Sequence, residues 1–213
     1  IAMVRVNYYL LIRTITLMLV FNFFTAQGSN FGDDVLAANA ILLQLFFFAV
    51  FVMDGISYST EALCGESYGQ QNFPLFKRLI IYCGLWELFA AVIFSATYYF
   101  FGELIVGYFS DVASVVETAK AHLPWIIALP LVGFIAYLLD GVCIGAAQTR
   151  AMYYSVLIST LGVFLPLWFL FKNSLGNDGL WLAFTVFNAA RGIHLILFWL
   201  GFLRDASSRE ETS

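Results

Sequence analysis

The chain is 213 residues long, 62% hydrophobic and 18% aromatic, with 11% charged residues and a net charge of −4. A soluble domain of this size carries roughly 25% charged residues, so the composition excludes one and points to an integral membrane protein. With so weak a net charge and no basic cluster, it gives no footing for a nucleic-acid partner.

A helix crossing the hydrocarbon layer needs about 20 mainly apolar residues. Six stretches qualify, in chain order 4–26, 36–63, 79–101, 124–146, 153–171 and 180–203. The first, VRVNYYLLIRTITLMLVFNFF, is too long for a signal-peptide core and lacks a small-residue cleavage site, so it reads as a span kept in the protein. Apolar residues run continuously and do not alternate, which argues against strands. Between the spans lie QGSNFGDD, GESYGQQNFPLFKR, GELIVGYFSDVASVVETAKAH, AQTRAM and KNSLGND. The third break is long and amphipathic, and a short interfacial helix is expected in it. A polar, disordered tail is expected over 204–213. The fold class is therefore all-α integral membrane.

Six crossings put both termini on one side. Arg5, Lys77, Arg78, Arg150, Arg204 and Arg209 fall on that side, against Lys120 and Lys172 opposite. By the positive-inside rule both termini are cytoplasmic, as in a multi-pass protein of the inner (cytoplasmic) membrane with lipid around it. Tyr8, Tyr9, Tyr98, Tyr99, Tyr153 and Tyr154 lie near span ends as an interfacial aromatic belt. Cys64, Cys83 and Cys143 match neither a metal site nor a disulfide framework and read as packing residues. Neither a metal nor a cofactor is expected.

Apart from the basic residues at span ends, two arginines, Arg13 and Arg191, and four acids, Asp54, Glu61, Glu87 and Asp140, fall inside the spans. An unpaired charge at mid-membrane costs on the order of 3 kcal/mol. Two arginines cannot neutralise four carboxylates, so at least one acid is protonated, wetted or holding a cation. Asp54, Tyr58, Glu61 and Gly65 follow i, i+4, i+7, i+11 and share one helix face. Such a polar stripe describes the wall of a wet cavity, or else a static network tied to Arg191 or Arg13; spacing leaves both open. Glu61 lies near a helix end, where snorkelling also accounts for it. Asn188 and Arg191 share a face, with His194 one further step along. The ion-coupling candidates are thus Asp54, Glu61, Asp140, Arg191 and Arg13, with Tyr58, Asn188 and His194 as cavity-lining candidates. Pro130 and Gly133 are expected to bend the fourth span. GxSxG, HExxH and phosphate-loop motifs are absent, so the chain is not expected to be an enzyme.

Three stretches carry a family resemblance: LIRTITLMLVFNFFTAQGSNFGDDVLAANAILLQLFFFAVFVMDGISYSTEALCGESYGQ, LLDGVCIGAAQTRAM and GNDGLWLAFTVFNAARGI. Their order and spacing resemble the multidrug and toxic compound extrusion (MATE) family, DinF-like branch, in its second six-helix lobe. The resemblance implies one lobe of a twelve-helix transporter, partnered by a missing N-terminal lobe. It further implies export of organic, often cationic small molecules in exchange for protons or sodium ions. In the NorM-like branch, acids in the first and fourth helices of this lobe bind the cation. Here the first span has no acid, and Asp140 sits lower than that ligand, whose level is nearer Gly133. In the DinF-like branch the proton-linked aspartate belongs to the first lobe. Rival readings are a structural lobe with all ion coupling elsewhere, an intramembrane enzyme, or a channel.

Overall fold

A computed structural model describes the backbone of residues 2–210 and the side-chain surroundings of residues 6–202. The side chains of the expected tail, 204–213, and of Arg5, Arg204 and Arg209 lie outside the described residues. Among the described residues there are six helical spans, all long and apolar enough to cross a membrane. They are α1 (Ala2–Gly28), α2 (Asp33–Gly69), α3 (Phe73–Phe109), α4 (Ala113–Gly145), α5 with α6 (Thr149–Ser159 and Leu165–Leu175), and α7 (Asn177–Glu210). No strand occurs among the described residues.

Several helix ends lie well beyond the apolar runs. α2 and α3 each hold 37 residues, roughly 55 Å at 1.5 Å per residue, against a hydrocarbon layer of about 30 Å. Asn72 caps α3 by accepting from the Leu75 N–H at 3.1 Å, with Pro74 in the first turn. At its other end α3 continues to Phe109 and α4 begins at Ala113. The amphipathic break therefore forms the overhanging turns of two long helices, and the expected interfacial helix is not a separate element. α4 continues through both Pro124 and Pro130.

The fifth span is interrupted. Thr160–Phe164 forms a π-helical turn between α5 and α6, just ahead of Pro166. Pro166 has no N–H to offer the Gly162 carbonyl, so the regular ladder cannot close there.

α4 packs against α2, α3 and α7, while α1 lies mainly on α5. The α2–α4 seam is made close by glycine. A Cβ at Gly141 would lie 2.4 Å from the Ser57 carbonyl oxygen, and one at Gly145 2.4 Å from that of Glu61. Gly65 faces Gly145 across the same seam, where a Cβ at Gly65 would lie 3.1 Å from the Gly145 carbonyl oxygen, so small residues let two backbones touch. The Ser57 hydroxyl also donates to the Tyr137 carbonyl at 2.9 Å. Near the α1–α2 turn, Asn39 and Asn177 exchange amide hydrogen bonds at 2.8 and 3.0 Å, and Trp181 Nε1 donates to Asn39 Oδ1 at 2.9 Å. Below this knot an aromatic cluster, Phe24, Phe46, Phe184 and Phe187 with Trp181, fills the core between α1, α2 and α7.

Candidate functional site

Immediately past that aromatic cluster, three helices deliver charge to one point. α4 supplies Asp140, α1 Arg13 and α7 Arg191. Arg191 Nη2 donates to Asp140 Oδ2 at 2.8 Å, and Arg13 Nη2 donates to the same oxygen. Asp140 and Arg191 are buried, while the Arg13 side chain keeps 21% of its surface. Burial of this kind is tolerated because each charge has an opposite partner. The satisfaction is incomplete: Asp140 Oδ1 and the Nε of both arginines have no partner.

Arg191 is held from several sides. Asn188 fixes its amide by donating from Nδ2 to the Phe184 carbonyl at 2.9 Å, and its Oδ1 accepts from Arg191 Nη1 and the Tyr137 hydroxyl, each at 3.4 Å. The guanidinium lies 5.8 Å from the Tyr137 ring centre and 5.7 Å from that of Phe187, within cation–π range. The Ser155 hydroxyl bonds the Arg191 carbonyl at 2.9 Å, tying α5 to α7.

The cluster borders a cavity of about 230 Å³, lined by Arg13, Asp54, Tyr137, Asn188 and Arg191 among phenylalanines of α1, α2 and α7. Asp54 is half-buried. It makes no hydrogen bond to any described residue, yet Arg13, Asp140 and Arg191 all act on it electrostatically. Two guanidinium groups thus face two carboxylates, one firmly bonded and one free at a cavity edge. A free carboxylate there can take up a proton or a small cation, and doing so leaves one arginine charge uncompensated.

Other expected residues fall elsewhere. Tyr58 is 69% exposed and does not line this cavity. Glu61 is half-buried, and its backbone carbonyl meets Gly145. His194 is likewise half-buried, with Nδ1 at 2.9 Å from the Ala190 carbonyl of its own helix. The shared face of α2 therefore divides, because α2 has α4 along one flank and the cavity along another. Among the described residues no three His, Cys, Asp or Glu side chains converge as metal ligands would. The spacing of single residues did not reveal the Gly141–Gly145 seam or the Asn39 knot. A small-x-x-x-small pattern at 141 and 145 was available for the first.

The MatE family model matches residues 10–170. The DNA damage-inducible protein F of Escherichia coli (strain K12) is 34% identical over 209 residues, 96% of this chain and 44% of that protein. Among solved structures, the Vibrio cholerae MATE transporter VcmN in its bent form superposes with a TM-score of 0.80 at 19% identity, over 91% of this chain and 44% of that one. A multidrug resistance MATE family transporter of the MOP superfamily, in its outward-facing conformation, gives 0.79 at 14% identity, over 94% and 45%. The chain spans less than half the length of the curated relatives it matches.

Proposed function

The chain belongs to the MatE family, and from that premise we propose that it is the C-terminal lobe of a secondary active efflux transporter. The protein would export organic, often cationic compounds in exchange for protons or sodium ions, with both termini on the cytoplasmic side of the inner membrane. Support for the lobe comes from the coverage: six helices overlay 94% of this chain on 45% of a multidrug resistance transporter. Lys77 and Arg78 just beyond the α2–α3 turn, with Arg150 just beyond the α4–α5 turn, support the orientation.

One observation carries the mechanism: Asp54 stands unbonded at the cavity edge, next to a doubly paired Asp140. Asp140 works as the fixed anion that holds α1, α4 and α7 together. Asp54 works as the exchangeable one. When it binds a proton or cation, the surplus guanidinium charge loses its second counter-ion, and the lobe gains a reason to rearrange. Because the two states differ by one charge at the cavity, binding there biases the alternation between inward-open and outward-open forms.

The test is drug resistance conferred on sensitive cells by the full-length protein. Asp54→Asn is expected to abolish resistance at unchanged membrane abundance. Normal resistance in that variant would remove Asp54 from the coupling. The double pairing of Asp140 favours a second reading, a purely structural lobe, and that same result would select it.

A further inference from the structure

Glu87 takes no part in the cluster described above. It lies mid-way along α3 with no accessible surface, and neither carboxylate oxygen has a hydrogen-bond partner. Helix register locates it. α2 and α3 are antiparallel, with the Tyr98 hydroxyl on the Leu45 carbonyl and Phe48 against Phe94. Continuing down the pair from these contacts brings Glu87 level with Gly55, one residue from Asp54. Among the described residues, Asp54 is the charged group acting on it electrostatically.

The facing stretches of α2 and α4 are otherwise mainly apolar. On α4, Leu138 sits against Gly84 and the Ile127 carbonyl accepts from Ser95, so residues 128–137 pass opposite Glu87. Their one titratable side chain, Tyr137, lines the cavity and bonds Asn188. On α2, Tyr58 points outward. On α3 itself, Cys83 is a buried thiol one turn away. An ionised carboxylate without a donor in such a place costs several kcal/mol. The neutral acid costs far less, because it carries no charge out of water.

We propose that Glu87 is a proton-binding site of this lobe, carrying a proton in the closed state and exchanging it with Asp54 when cavity water reaches between them. One carboxylic acid becomes a carboxylate as the other carboxylate becomes an acid, so the total charge is unchanged. Proton occupancy of Glu87 stands on the burial geometry alone, whereas its part in coupling rests on the efflux reading.

Infrared spectroscopy of the full-length protein in lipid nanodiscs tests the site without transport. The carbonyl stretch of a protonated acid is expected at neutral pH, and is expected to be lost in Glu87→Gln, whose amide copies the neutral acid in shape. Asp54→Asn is expected to shift the pH at which the band disappears. A band that survives Glu87→Gln, or a pH dependence unmoved by Asp54→Asn, overturns the proposal. Should Glu87→Gln fail to fold, Glu87→Asp must move the band in frequency, and an unmoved band again overturns it. Export from proteoliposomes under an imposed proton gradient separates the two ideas. No transport by the native protein defeats the efflux reading and leaves the band standing. Proton-driven transport that is unaffected by Glu87→Gln defeats the coupling role.

Discussion

Replacing Gly141 by alanine drives a methyl group into a neighbouring backbone. The added Cβ would lie 2.4 Å from the Ser57 carbonyl oxygen and 2.6 Å from its hydroxyl oxygen, where ordinary contact begins at 3.4 Å. The hydroxyl can rotate away; the carbonyl belongs to α2 and cannot. Relief therefore requires α2 and α4 to part by about 1 Å, the shortfall from ordinary contact. That separation opens the seam through Gly65 and Gly145 and displaces Asp140, the next residue along. Overpacking costs roughly 1–3 kcal/mol, and an unyielding backbone places this case near the upper end. Alanine's better helix propensity returns about 1 kcal/mol, leaving a net loss of about 2 kcal/mol. Gly145→Ala should behave alike, since its Cβ would meet the Glu61 carbonyl at 2.4 Å. Gly55 and Gly107, with nothing within 4 Å, are the controls, and alanine there should be neutral or stabilising. Unfolding of the purified protein in detergent micelles measures the series. A Gly141→Ala protein as stable as the Gly107→Ala control would refute backbone contact as the reason for glycine at this seam.

Other expectations concern the polar groups. Arg191→Ala leaves Asp140 with the partly exposed Arg13 alone, and should cost about 3–5 kcal/mol; Arg13→Ala, at a wetter position, should cost less, both read by the same unfolding assay. Equal losses would show that burial does not rank the two pairs. Asn39→Ala strips partners from Asn177 and Trp181 together and should cost about 2–3 kcal/mol. A shift in Trp181 fluorescence should accompany it, and an unchanged spectrum would mean that the indole N–H had found another acceptor.

The six spans can be read from the sequence because continuous apolar runs of that length have few alternatives. Their ends cannot, since α2 and α3 overhang the membrane, and in those turns nothing in composition separates helix from loop. Charge pairing shows the same division. Counting two arginines against four acids inside the spans foretells that some acid goes unpaired. It does not tell which, because Asp140 lies 127 residues from Arg13 and 51 from Arg191, and packing alone brings them together. The stripe of Asp54, Tyr58 and Glu61 failed as a single cavity wall for a related reason: periodicity defines a face but not which neighbour covers each part of it. Glu87 illustrates the point most sharply. Its position inside a span is plain in the sequence, whereas its solitude becomes visible only once α2 and α4 are in place.

The distant ion pair also bears on how the protein is made. Arg13 enters the bilayer on α1, well ahead of Asp140, the carboxylate it bonds. At about 5–20 residues per second of synthesis, the 127 residues separating it from Asp140 take roughly 6–25 s. Throughout that interval Arg13 lacks the carboxylate it bonds, and Asp54 of α2, which acts on it without bonding it, is the first acid to follow it into the bilayer. Arg191 arrives after its aspartate and has no such wait. The bond that ties α1 to α4 can therefore close only after α4 is made, and Arg191 of α7 adds the second partner later still.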